Sequence, residues 1–278
     1  MTSNFDDKSH SPSPIDLALI PPTEKAELHS SAVSITSAST ALTTSSPSTF
    51  IPASSLHIST RGIPILRLPL PPSSLTTTIH RPDGSLAYTS TRRSGSCVLA
   101  DATSTPLITT TYFFGPGRDP VLTLLAPGRD PAEPATSTIT TTSKWTSRAQ
   151  TFATGDGPTW EWAYVRERVP APDDGTNDAA RRKKGGKVVI LALYRTDDGA
   201  RGLGGTRVGQ LLRTDETRAA GSSRTSAGNG GELQLAAGGV EGDLDEAGVV
   251  ASCLVMLKKE VDRRRTVQMM VIAGGGGS

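Results

Sequence analysis

The sequence has almost no cysteine, and outside its first 60 residues it has only one histidine, His80. Cys97 and Cys253 are its only cysteines, and both lie in apolar surroundings. We therefore predict two buried thiols, neither a disulfide framework nor a metal site. The chain also lacks an H-x-x-x-H pair, a C-x-x-C pair and a carboxylate cluster with metal-ligand spacing. We expect no metal and no other cofactor.

The motifs of the common catalytic sites are also missing. His80, which a catalytic triad would have to use, stands between a predicted strand and a turn, and the chain has no G-x-S-x-G motif. The glycine-rich stretches match neither a phosphate-binding loop nor a dinucleotide-binding motif. We therefore predict a non-enzymatic protein with no catalytic residues. The remaining alternative is an enzyme that uses an unrecognised pocket near His80.

The chain lacks a long apolar run and a strong excess of charge. No run approaches the roughly 20 apolar residues of a spanning helix, so no transmembrane segment is expected. The N-terminal "MTSNFDDKSH" does not have the pattern of a secretory signal. The net charge of +2 indicates no nucleic-acid partner. We expect an intracellular, cytoplasmic protein, with attachment to a membrane surface and entry into the nucleus left open.

Serine, threonine and proline dominate the first 60 residues, where few large apolar residues occur. Such a segment buries too little surface to offset its ordering entropy, so we predict a disordered tail over residues 1–60. A folded domain is predicted over residues 61–273, and a flexible glycine-rich end over residues 274–278.

Short β-branched runs alternate with turn signals along this domain, as in all-β folds. "LTTTIH" and "SLAYTSTR" flank a turn at Asp83 and Gly84 and form a predicted hairpin. In "PTWEWAYVRER", the side chains of Trp160, Trp162 and Tyr164 are expected to point to one side of a strand. Those of Glu161 and Ala163 point to the other side, as in a half-buried strand. About ten such strands precede the C-terminal region, and tryptophans at strand spacing are typical of a core.

The C-terminal stretch "GVVASCLVMLKKEVDRRR" joins a dense apolar run to a basic cluster. Acidic residues before it and basic residues after it match the two ends of a helix dipole. The pattern predicts a helix over about residues 244–265, capped by Asp243 or Asp245. Whether residues 266–272 continue the helix is left open. Its first half is apolar on all sides, which is typical of a helix buried all round. Many antiparallel strands and one such helix predict a mainly β fold in which the sheet closes around the helix.

Five segments, in this order, resemble the tubby-like superfamily. They are "KWTSRAQTF", "GDGPTWEWAY", "KVVILALY", "GELQLAAGG" and "DLDEAGVVASCLVMLKKE". That superfamily includes the tubby C-terminal domain, the LURP-one-related proteins and the phospholipid scramblases, and the chain looks closest to uncharacterised fungal members. The resemblance implies a closed antiparallel β-barrel of about twelve strands around a hydrophobic C-terminal helix. It implies no binding residues, because the Lys and Arg pair of the tubby phosphoinositide site has no counterpart by motif.

A basic run provides the candidate site, and its residues are Arg181, Arg182, Lys183, Lys184 and Lys187. Adjacent cations attract anionic lipid head groups, so we predict binding of anionic phospholipid at a cytoplasmic membrane surface. The same run is also typical of a nuclear import signal or of a solvated loop. The alternative function is a structural or protein-binding barrel whose disordered tail is regulated, with an unknown protein as its partner. The sequence leaves the oligomeric state open.

Overall fold

Alternation of apolar and polar residues along the strands produces a closed sheet in the computed structural model. The structure describes residues 50–64, 74–113, 118–125, 137–143, 147–155, 157–168, 187–196, 204–237 and 244–274. Its strands are β1 Pro52–Ser59, β2 Arg61–Ile63, β3 Ser74–His80, β4 Leu86–Arg93, β5 Ser96–Asp101, β6 Pro106–Thr111, β7 Val121–Leu124, β8 Ser137–Thr142, β9 Gln150–Thr154, β10 Thr159–Arg168, β11 Lys187–Thr196, β12 Thr206–Leu212, β13 Ala227–Asn229 and β14 Glu232–Ala236, followed by the helix α1 Glu246–Gly274.

Twelve of the described strands form one closed antiparallel barrel. From β3 to β12 each strand pairs with its neighbour in sequence, and β14 then pairs with β12 and with β1. The barrel closes where β1 pairs with β3, with Ile58 opposite Ile79. Closure leaves no unpaired edge among these strands. The predicted fold class, a closed barrel of about twelve strands with a C-terminal helix, is confirmed.

Every second residue of a barrel strand faces inward, and these positions carry the core. In β8, Ile139 and Thr141 are buried while their neighbours in the strand are exposed. In β10, Trp160 and Trp162 are buried, as the alternation predicts. Cys97 and Cys253 are buried free thiols, also as predicted.

The first half of α1 fills the barrel. Nearly every residue from Ala247 to Leu257 is buried, including Val250 and Cys253. Ser252 is the polar residue in this buried stretch. Its hydroxyl accepts a hydrogen bond of 2.9 Å from the Trp162 indole N–H. Asp245 caps the helix, since its carboxylate accepts the Gly248 N–H at 2.7 Å. Small side chains allow the helix to sit inside a barrel that large side chains also fill.

A small second sheet packs against α1. It consists of β2 and β13, which pair antiparallel. Gly228 in β13 has a positive φ of 72°. A Cβ added there would lie 2.4 Å from Val261 Cγ2 and 2.7 Å from the Leu257 carbonyl oxygen. Glycine is therefore required at this point for the strand to approach the helix.

One predicted boundary is wrong, and the structure defines a second boundary that the sequence leaves open. Residues 52–59, assigned to the tail, form the barrel strand β1, because Leu56 and Ile58 reach the core and partners on both sides satisfy the backbone. The helix continues past Arg265 to Gly274, since no helix breaker occurs before that glycine. The basic cluster therefore lies within the helix and not at its end. Residues 1–49 and 275–278 lie outside the described residues, so the rest of the tail and the flexible end stay predictions.

Candidate functional site

The basic run predicted as the lipid site falls almost entirely outside the described residues. Arg181, Arg182, Lys183 and Lys184 are not among them. Lys187 is the first residue of β11, with its Cα opposite that of Arg168. The next two residues along β11, Val188 and Val189, line a cleft. The run therefore precedes, in the chain, the two valines that line the cleft, and its role in binding stays a prediction.

This cleft, called here the cationic cleft, lies beside the middle of α1 and has a volume of about 760 Å³. A volume of this size suits a small ligand. Its described lining carries six basic residues and one acidic residue, Glu260. The basic residues are Arg148, Arg213, Arg224, Lys259, Arg263 and Arg264.

The helix supplies three of these cations from one side. Lys259 and Arg263 are spaced i and i+4, which places them on one face of the helix, and Arg264 lies about 100° further round the axis. The Lys259 ammonium donates to the Ala149 carbonyl at 3.2 Å, and the Arg263 guanidinium donates to the Ser147 carbonyl at 3.2 Å. Both side chains therefore fasten the segment before β9 to the helix while keeping their charge in the cleft.

The two terminal nitrogens of the Arg264 guanidinium differ in their hydrogen bonding. One of its terminal nitrogens donates to the Thr225 carbonyl at 3.0 Å. The other, Nη1, is buried and has no hydrogen-bond partner within the described part of the chain. A buried donor without a partner is costly, so this guanidinium is only partly satisfied.

Glu260 and Arg213 form a nearly buried ion pair at the inner end of the cleft. The two guanidinium nitrogens lie 2.8 and 2.9 Å from the two carboxylate oxygens. Glu260 also accepts hydrogen bonds from the Gly228 N–H at 2.8 Å and from the Tyr164 hydroxyl. Burial alone would raise the pKa of Glu260, but Arg213 and these donors hold it below its ordinary value. Arg213 is thus neutralised locally, and Arg224 has a more distant carboxylate partner, Asp215, at 3.7 Å.

Lys259 is the cation whose charge depends most on its surroundings. Burial, and then the neighbouring Arg263, lower its pKa to about 8, while Asp119 opposes this effect. A bound anion would favour the protonated amine and offset the cost of burying it. Burial raises the pKa of Tyr164 above its ordinary value, so this phenol stays neutral near physiological pH.

Donors of this kind suit anions, because they form charge-assisted hydrogen bonds, and phosphate is the group that suits arginine best. Sequence reasoning missed the cleft, although part of the signal was visible. The i, i+4 spacing of Lys259 and Arg263 indicates one helix face, but the basic cluster was interpreted as a helix terminus. Arg148, Arg213 and Arg224 come from three other segments, which the fold alone brings together.

Other candidate residues lie elsewhere. His80 ends β3, and its Nδ1 lies 3.3 Å from the Gly84 carbonyl oxygen. It does not line the cationic cleft. Trp160 and Trp162 belong to the core, while Trp145 is outside the described residues. Within the described ranges, no group of three or more His, Cys, Asp or Glu residues is arranged to hold a metal ion.

Among the residues that the structure describes, no helix combines the length and the apolar character needed to cross a bilayer.

The fold and the cleft together define a closed antiparallel barrel that encloses a helix and carries a cleft lined mainly by basic residues beside that helix. No protein-family model matches the chain, and no curated protein matches it. Among solved structures, the chain is similar to a protein from Arabidopsis thaliana determined by X-ray crystallography, at 11% identity and a TM-score of 0.35. The match covers 74% of this chain and 90% of that one. Such a distant likeness does not bear on family or function.

Proposed function

We propose that the protein is a non-enzymatic, tubby-like barrel that binds anionic phospholipid head groups in the cationic cleft at a cytoplasmic membrane surface. The observation that carries this proposal is the charge of the cleft, where six basic side chains surround one acidic side chain. That acid is already paired with Arg213. The barrel around a C-terminal helix is the architecture that the resemblance to the tubby-like superfamily implies, and it supports the assignment to that class.

The arrangement suits a phosphorylated head group for two reasons. Guanidinium groups from different segments converge on one cleft, and such groups form paired hydrogen bonds with phosphate oxygens. The desolvated amine of Lys259 gains from a bound anion. The basic run, which precedes Val188 in the chain, adds long-range attraction to an anionic surface.

The test is a pair of substitutions, Arg263→Gln with Arg264→Gln, measured by calorimetric titration of inositol trisphosphate and by sedimentation with phosphoinositide vesicles. Loss of two charge-assisted contacts should weaken binding by about a hundredfold. The matched control is Arg92→Gln with Arg93→Gln, which removes the same charge from β4, away from the cleft.

Equal weakening by the control pair would show that only net charge matters and would contradict a site in the cleft. Unchanged binding by the cleft pair would do the same. Replacement of Arg181, Arg182, Lys183 and Lys184 by glutamine tests the predicted basic run separately. We expect it to reduce vesicle binding more than binding of the soluble head group, because the run acts through the field of the membrane.

A further inference from the structure

The last two turns of α1 expose large apolar side chains. Val267, Met269, Met270, Val271 and Ile272 are between 53% and 69% exposed. Residues 267–274 are called here the helix tip. Between Val249 and Leu257, the described residues of the barrel bury every large apolar residue of α1 except Leu254, which is partly buried. The exposure of apolar side chains in the tip therefore differs from the burial of such side chains in the first half of the helix. Contiguous exposed apolar surface marks a binding region.

The exposed side chains point in all directions around the helix axis. Successive residues of a helix are about 100° apart, so four consecutive apolar residues from Met269 to Ile272 leave no polar face. A groove on a partner protein would cover one stripe of such a helix, while an apolar medium would cover all of it. The tip is therefore better suited to the hydrocarbon of a bilayer, which surrounds it on all sides, than to a groove on a partner protein.

Basic residues next to the start of the helix tip indicate which kind of membrane surface would bind it. Arg263 and Arg264 lie one turn before Val267, and all three line the cationic cleft. Basic residues next to an apolar helical segment are complementary to the negative surface of an anionic bilayer. The helix tip and the cationic cleft are thus adjacent. This arrangement allows the tip to contact the hydrocarbon of a membrane while the cleft contacts its head groups.

We propose that the helix tip inserts into the outer part of an anionic bilayer leaflet when the cationic cleft holds head groups. This inference rests on the proposed function and adds the bilayer interior as a second point of contact. Eight helical residues rise about 12 Å, which reaches the boundary between head groups and acyl chains, about 5–10 Å deep. The same length is far below the roughly 30 Å hydrocarbon core, so the tip enters one leaflet without crossing.

The test places a fluorophore on the tip. Met270→Cys is labelled with an environment-sensitive dye, since Cys97 and Cys253 are only 7% and 0% exposed and react poorly. Vesicles contain phosphatidylcholine and phosphatidylserine, with a nitroxide quencher on the acyl chain. We expect a blue shift and strong quenching at residue 270, and neither at a Val98→Cys control on the barrel wall. An unshifted, unquenched dye at residue 270 would overturn the proposal.

A second pair of variants separates this proposal from the proposed function. Met270→Asp with Ile272→Asp should weaken vesicle binding by at least about tenfold, because two carboxylates then oppose insertion. It should leave titration with inositol trisphosphate unchanged, whereas failure of that titration in the unmodified protein would refute the cleft instead. The control, Thr138→Asp with Thr142→Asp, adds the same charge at exposed positions of β8.

Two further outcomes would overturn the proposal that insertion depends on head groups held in the cationic cleft. Equal quenching in vesicles of phosphatidylcholine alone would show that the tip acts without the cleft. If the aspartate pair leaves vesicle binding intact but lowers the molecular mass measured by light scattering, the tip is a self-association surface.

Discussion

The two halves of α1 have the same backbone conformation and opposite surroundings. From Ala247 to Leu257 the helix is enclosed by barrel side chains, and its single buried hydroxyl, on Ser252, is paired with Trp162. From Lys258 onward, charged side chains hold backbone carbonyls of other segments, and beyond Thr266 apolar side chains are exposed. One half stabilises the fold, while the other half forms a surface. Apolar character along a helix therefore does not by itself distinguish core from binding site.

The sharpest test of this difference puts the same charge in each half. Val250 is fully buried and Val271 is 69% exposed. Val250→Asp would bury a carboxylate without a partner, so we expect a loss of more than about 4 kcal/mol and no folded protein. Val271→Asp should change the free energy of unfolding by less than about 0.5 kcal/mol. Thermal melts followed by circular dichroism measure both, and a similar melt for the two variants would remove the distinction between the halves.

The buried half could be predicted from the sequence because its signals are local. Apolar residues on all sides, an acidic entry and Asp245 as a cap lie within a few residues of one another. The hairpin at Asp83 and Gly84 and the alternation around Trp162 are local in the same way. Each of these features was predicted with nearly correct bounds.

The features that were missed depend on contacts between distant segments. In β1, Leu56 pairs with Leu233 and Ile58 pairs with Ile79, so the strand is stabilised by partners far away in sequence. Its own residues are mostly serine and alanine outside that pair, as in the preceding tail. The cationic cleft is assembled from four segments, and Arg213 gives no sign in the sequence that it faces Glu260. Local patterns cannot reveal such non-local partners.

The second prediction concerns the boundary between the halves, where Glu260 pairs with Arg213. Glu260→Gln leaves Arg213 without its counter-ion, and both side chains are less than 20% exposed, at 17% and 13% respectively. We expect a loss of about 2 kcal/mol, below the usual cost for a fully buried pair. Chemical denaturation measures it. Because Arg213 is freed, affinity for inositol trisphosphate should rise, so stability and binding change in opposite directions. A fall in both would mean that Glu260 orders the cleft and does not compete with the ligand.

The same ion pair makes the stability of the fold depend on pH in the acid range, and the direction of this dependence is defined. The native pKa of Glu260 lies below its ordinary value, so the ionised form stabilises the fold above the pKa of the unfolded chain. This contribution is lost as pH falls through the native pKa. The Glu260→Gln variant lacks a titrating group, so its stability should change less across that acid range. Parallel acid denaturation curves for the two proteins would contradict this assignment.

The smallest expected effect tests whether the exposed half acts through its charge. The pKa of Lys259 is about 8, so its charge is lost as pH rises through that value, while Tyr164, whose pKa is raised by burial, stays neutral on either side of it. Loss of one cation near an anionic ligand costs about 1 kcal/mol, or about fivefold in affinity. Calorimetric titration of inositol trisphosphate should therefore show weaker binding as pH rises through about 8.

Lys259→Arg is the matched control, because arginine keeps its charge throughout this range. Its affinity for inositol trisphosphate should stay level where that of the unmodified protein falls. An equal decline in both proteins would show that the pH dependence arises elsewhere. A level response in both would mean that Lys259 serves only to hold the Ala149 carbonyl, 3.2 Å away, and belongs with the structural half of the helix.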